Sequence, residues 1–96
     1  MSKAYWVSAY RSVKDPAALS KYAELATKAI TAAGGRFVAR GVAAQVRENG
    51  IKDRTVIIEF DSLEAAVATY EGNDYRKALD ALGDTADRDF RIVEGV

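Results

Sequence analysis

Arg40 and Glu59 are the side chains in this sequence best placed to do chemistry. Each is a charge inside an apolar run, FVARGV for the first and VIIEF for the second. A charge held that close to a core needs a partner. Set opposite each other on one sheet face, they would form the polar end of a cleft, with Arg40 binding a carboxylate and Glu59 acting as a base. The plainer reading is a cross-strand ion pair contributing about 0.2–1 kcal/mol. Tyr22 and Tyr70 each follow an apolar helical stripe and could offer a phenolic hydroxyl to a ligand. The plainer reading for these, and for Tyr5, Trp6, Tyr10 and Tyr75, is core or interface with the polar tip at the edge. Asp84, Asp87 and Asp89 supply oxygen of the kind a hard cation takes. Their spacing matches no calcium loop and Arg88 and Arg91 stand among them, so a solvated loop and no metal site are expected.

The rest of the composition excludes more than it offers. Among 96 residues there is no cysteine and no histidine. Disulfides, thiolate nucleophiles, imidazole bases and the usual haem and zinc ligands are therefore absent from this chain. Fourteen basic residues balance fourteen acidic ones, which removes the electrostatic footprint of a nucleic-acid or membrane-surface binder. The strand RTVIIEF lacks the basic-aromatic pattern on which an RNA-recognition motif stacks bases. Gly34-Gly35 follows a helix rather than a strand, the wrong context for a dinucleotide or phosphate loop. No cofactor, nucleic acid or membrane partner is expected. The first residues hold no apolar run of signal-peptide length, so a cytoplasmic protein is expected.

The elements that must position these residues are well punctuated. AYWVSAYR (4–11) is rich in aromatic and β-branched types and reads as a strand. Asp15-Pro16 opens a helix, as N-cap and first helical residue. Leu19, Tyr22, Ala23, Ala26, Ile30 and Ala33 form its apolar stripe, and Gly34-Gly35 stops it. Residues 36–48 read as extended. Asn49-Gly50 predicts a two-residue type I′ hairpin, returning through the strand 51–60. That turn fixes a register in which Arg40 meets Glu59, Ala39 meets Phe60 and Val42 meets Ile57. Asp61 and Glu64 form a capping box for a second helix, which runs to Gly72. A further helix begins at Asn73 and ends at Gly83. After a polar loop at 84–88, Phe90, Ile92 and Val93 form the last strand. The order βαββαβ within a single domain, residues 1–96, predicts an α+β ferredoxin-like antiparallel sheet with helices on one face.

Helices cover only one face of such a sheet, yet both faces carry large apolar residues. Trp6 and Tyr10 lie on one side of the first strand, Tyr5 and Val7 on the other. An uncovered second face would exceed the apolar patch tolerated on a monomer, so a homodimer is expected.

YW near the start, the Asp-Pro helix containing Tyr22, GGRFVARG (34–41), VIIEFDSLEAA (56–66), NDYRKAL (73–79) and the terminal IVEGV together resemble the domain of unknown function 1330 family, essentially end to end. Asp61 departs from the proline common at that place. The resemblance implies ferredoxin-like subunits paired as a dimeric α+β barrel. That architecture is shared with antibiotic-biosynthesis-type monooxygenases, EthD-like proteins and haem-degrading enzymes. The family has no established reaction, so no catalytic residues carry over. The expectation is a small dimeric protein performing cofactor-free chemistry on, or binding, a small organic molecule beside Arg40, Glu59, Tyr22 and Tyr70. The alternative is a non-catalytic ligand-binding or protein-interaction module.

Overall fold

Alternation decides how the first strand is used. In the computed structural model, which describes residues 2–96, β1 (Ala4–Val13) buries Ala4, Trp6, Ser8 and Tyr10 and leaves the intervening side chains on the other face. Helix α1 (Pro16–Ala32) starts where Asp15 Oδ1 accepts from the Ala17 and Ala18 amides at 3.0 and 3.3 Å. It ends at Ala33, and Gly34 follows at φ +87°. Gly35 is required for closeness: a Cβ there would lie 2.6 Å from Ile30 Cγ2 and 2.9 Å from the Phe60 ring. The chain then forms β2 (Arg36–Val42), β3 (Arg54–Phe60), α2 (Leu63–Glu71), α3 (Asn73–Leu82) and β4 (Ala86–Glu94).

The four strands lie in the order β2-β3-β1-β4 and every neighbouring pair is antiparallel. This is the expected ferredoxin-like α+β fold. Trp6, Phe60, Tyr75 and Ile30 are the largest fully buried side chains, and they form the core between the sheet and the helices. Trp6 Nε1 donates to the Ala66 carbonyl at 3.0 Å, which ties the central strand to α2. The rings of Tyr70, Tyr75, Phe60 and Phe90 surround Trp6, with centroids 4.9–5.8 Å away.

Three local expectations are corrected. The hairpin is not closed at Asn49-Gly50: β2 stops at Val42, β3 starts at Arg54, and the loop between them is pinned where the Ala43 amide donates to Asp53 O. Glu48 is the only described non-glycine residue with positive φ and Gly50 has none, so the turn there is not type I′. The register therefore runs Arg36↔Glu59, Phe37↔Ile58, Ala39↔Ile57 and Arg40↔Val56, with an irregularity at Val38. The turn-set register would have placed Gly41 opposite Ile58. The observed one gives Ile58 the Phe37 ring, and side-chain burial outweighs a local turn preference. The second helix is capped by Ser62, whose Oγ accepts from the Ala65 amide at 3.1 Å, and not by Asp61. Finally, residues 86–88, read as loop, belong to β4.

Candidate functional site

The helix-facing side of the sheet can be followed row by row. One row runs Arg40, Val56, Ser8 and Phe90 across β2, β3, β1 and β4; next to it Val42 pairs with Arg54 and Tyr10 with Arg88, with the Arg54 guanidinium over the Tyr10 ring. Tyr22, Ala23, Ala26, Thr27 and Ile30 of α1 roof these rows. Between them lies a cavity of about 30 Å³, space for about two water-sized atoms. Arg40, Arg54 and Arg88 all border it, and among the described residues no aspartate or glutamate does.

Arg88 is the best-defined of the three. Its Nη1 donates to the Tyr22 hydroxyl at 2.9 Å, and its guanidinium stands 5.0 Å from the Tyr22 ring, 5.2 Å from Phe90 and 5.7 Å from Tyr10. Arg54 lies over the other side of the row at 5.9 Å from Tyr10, and Arg40 stacks on Phe37 at 4.4 Å. Two polar atoms at the wall have no partner among the described residues: Ser8 Oγ, on a residue 3% exposed, and Arg54 Nε.

The Tyr22 hydroxyl also meets the Tyr75 hydroxyl at 2.5 Å. Burial raises the pKa of both phenols, most strongly for Tyr75, although Arg88 pulls in the opposite direction. Burial works against the charge on Arg88, but the surrounding tyrosine oxygens outweigh it and the pKa is raised. At neutral pH the site is thus a cation beside two protonated phenols. It can donate hydrogen bonds and hold negative charge, and it contains no group ready to take a proton. Among the described residues there is no cluster of potential metal ligands.

Residues 3–96 match the family described as Domain of unknown function (DUF1330). The chain belongs to the DUF1330 family. No curated protein matches the sequence. A protein of unknown function from Rhodopseudomonas palustris is similar over 99% of this chain and 83% of its own, at 17% identity and a TM-score of 0.73. A dimeric ferredoxin-like protein of unknown function from Thermobifida fusca gives 98%, 92%, 17% and 0.67 in the same order. SnoaB, a cofactor-independent oxygenase from Streptomyces nogalater, gives 100%, 95%, 13% and 0.64. At these identities the likeness is one of fold.

In this DUF1330 chain the sequence-chosen residues do not assemble as one site. Arg40 and Tyr22 border the cavity. Glu59 does not meet Arg40: it faces the other side of the sheet, accepts from Arg36 Nε at 2.9 Å and from the Tyr5 hydroxyl at 3.2 Å, and has its carboxyl pKa lowered, chiefly by Arg36. The shifted register and the irregularity at Val38 are the reason: Glu59 meets Arg36 instead of Arg40, and the extra residue puts Arg36 and Arg40 on opposite faces. Tyr70 packs against Trp6, Tyr75 and Phe90 and does not border the cavity. Ser8, Arg54 and Arg88 also border it and are not among the residues the sequence singles out, while Tyr10, expected as core, is both buried and on the cavity wall. The signal for the two arginines was the two-residue period: Arg54 shares parity with Val56, Ile58 and Phe60, and Arg88 with Phe90 and Ile92.

Proposed function

We propose that this protein binds a small organic molecule in the cavity between the sheet and α1, and that it does so as a homodimer. The observation that carries the binding reading is a pair of buried polar atoms without a partner among the described residues, Ser8 Oγ and Arg54 Nε, on residues that line the cavity. Buried polar atoms are normally satisfied. Two of them on residues lining one cavity support a ligand, or the water it displaces, sitting there.

Two observations support the homodimer. The face of the sheet away from the helices presents Tyr5, Val7 and Ile57 at its centre, and Val38 and Val93 are 59% and 48% exposed. Fold relatives from Thermobifida fusca and Bacteroides fragilis are described as dimeric. Light scattering at micromolar concentration tests this, with twice the chain mass expected and a monomer mass against it.

A thermal-shift screen against a metabolite library tests the binding reading. The expected result is a set of stabilising compounds whose effect disappears in Ser8→Val. Stabilisers that act equally on the variant would place binding elsewhere. The Tyr22–Tyr75 hydroxyl pair favours a second reading, cofactor-free chemistry at the same site. With Tyr75 donating to Tyr22, the Tyr22 proton is left for an oxygen atom in the cavity. Turnover of a stabilising compound, lost in Tyr22→Phe while binding persists, separates the second reading from the first.

A further inference from the structure

We propose that the ligand of this cavity is an organic carboxylate with an apolar body, its carboxylate held by Arg54, Arg88 and Ser8 and its body directed past Arg40 and Phe37. The inference rests on the small-molecule reading above and specifies its chemistry.

The charge distribution is the first support. The chain is neutral overall, yet three guanidiniums share one cavity whose described lining contains no acid. The acids adjacent to Arg88 in sequence are pleated to the opposite face. There Asp87 pairs with Arg11 at 3.2 Å, and Asp89 pairs with Arg91 at 3.0 Å and with Arg11 at 3.7 Å. Arg36 is similarly occupied by Glu59 and Asp61, each at 2.9 Å. Arg40, Arg54 and Arg88 make no ion pair with any described residue. What they have instead is aromatic rings and one phenol. Rings hold a guanidinium in place through its attraction to their faces but leave its charge uncancelled. Arg40 is exposed, but for the partly buried Arg54 and Arg88 a charge of that kind is costly until an anion joins it.

Geometry gives the rest. Arg54 and Arg88 flank Tyr10 from β3 and β4, and Ser8 sits one row along between Val56 and Phe90. A guanidinium fork matches the two oxygens of a carboxylate, and a serine hydroxyl adds a third donor. The cavity of about 30 Å³ accommodates about two oxygen-sized atoms, which is the size of the head group and not of a whole metabolite. The apolar remainder must therefore leave the cavity. The open route is past edge strand β2, where Arg40 is exposed and Phe37 half-buried.

The test compares acids with their neutral amides on the full-length chain: benzoate, phenylacetate and 3-phenylpropionate against the corresponding carboxamides. Affinity is read by calorimetry and by quenching of Trp6, the only tryptophan and a lining residue. The acids are expected to bind about tenfold or more tightly than the amides, as hydrogen bonds to a charged partner imply. Arg54→Gln and Arg88→Gln should each bring that ratio close to one, while Arg54→Lys should retain part of it. Arg11→Gln, on the opposite face, should leave it unchanged. Equal binding of acids and amides by the wild type overturns the carboxylate assignment and leaves the small-molecule site standing. An equal response to inorganic phosphate and to the acids overturns the organic part of the assignment. Failure of every acid to bind, while library compounds still stabilise in a Ser8-dependent way, overturns this inference alone; failure of both series and of the library overturns the site as well. The wild-type comparison stands even if a variant does not fold.

Discussion

The hydroxyls of Tyr22 and Tyr75 meet at 2.5 Å, and Arg88 donates to the Tyr22 oxygen at 2.9 Å. Three elements, α1, α3 and β4, are thereby joined by two hydrogen bonds sharing the Tyr22 oxygen at the edge of an aromatic core. The contact orients Tyr22 and Arg88 towards the cavity and explains how a cation can stand among rings without an acid.

Tyr22→Phe removes the one side-chain acceptor that Arg88 has among the described residues. A loss of about 1–3 kcal/mol in urea-unfolding stability is expected, because a partly buried charged donor is left unmatched. Tyr75→Phe removes a neutral phenol contact and should cost less, about 0.5–1.5 kcal/mol. The reverse order of the two costs would contradict the described network.

Both phenols have pKa values raised by burial above the usual 10.0. A group whose folded pKa is raised contributes stability that is complete below its unfolded pKa and is lost as pH rises beyond it. Unfolding midpoints should therefore fall progressively above pH 10.0, and the absorbance change of tyrosinate at these two positions should coincide with unfolding. Loss of that alkaline limb in Tyr22→Phe/Tyr75→Phe would assign it. An alkaline limb unchanged in the double variant would rule these phenols out as its source.

On the opposite face, Arg36 holds the Glu59 and Asp61 carboxyls below their ordinary values of 4.5 and 3.8. With folded pKa values depressed, this contribution is present above those values and disappears as pH falls through and below them. Melting temperature should decline less steeply on acidification in Arg36→Gln than in the wild type, the two curves converging below both values. High salt should shrink the difference, since the pairs are exposed. A gap that persists unchanged at low pH and high salt would point to packing rather than charge.

How much of this could be read from residue types depends on the range of the forces involved. Asp15, Pro16, Gly34 and the alternation of β1 act within a few residues, so α1 and the central strand were legible. The antiparallel pairing of β2 with β3 was legible as well, but its register was not. Asn49-Gly50 is a strong local turn signal, but burying Phe37 beside Ile58 and matching Arg36 with Glu59 involves residues more than twenty positions apart, and those contacts outweigh it. That register, with its irregularity at Val38, leaves Glu59 with Arg36 on one face and Arg40 with Val56 on the helix-facing one. Residue type places Arg54 and Arg88 outward, because charged residues are mostly exposed; strand parity places both inward.

The corrected register also makes a direct prediction at two sites. Asn49→Ala should change stability by no more than about 0.5 kcal/mol, as befits an exposed loop residue outside special backbone geometry. Gly35→Ala should cost about 1–3 kcal/mol by overpacking, because its Cβ would meet Ile30 and Phe60. Chemical denaturation of the two variants measures both. A large loss at Asn49 would restore the tight hairpin.

The cavity carries an electrostatic cost of its own. Arg54 Nε is buried and has no partner among the described residues, so Arg54→Met should raise the melting temperature of the ligand-free protein by an amount equivalent to about 1 kcal/mol. It should also abolish ligand-induced stabilisation. A lower melting temperature in the ligand-free variant would show that the arginine has a structural role.

The most direct test of the cavity as a binding site is a two-dimensional amide NMR titration of the protein with phenylacetate. Saturable shifts are expected at Ser8, Tyr10, Tyr22, Ala26, Arg54 and Arg88, on both walls of the cavity, with Arg11, Arg36, Glu59 and Arg91 on the opposite face unmoved. Shifts confined to that opposite face would contradict the assignment, as would a spectrum unchanged at millimolar ligand.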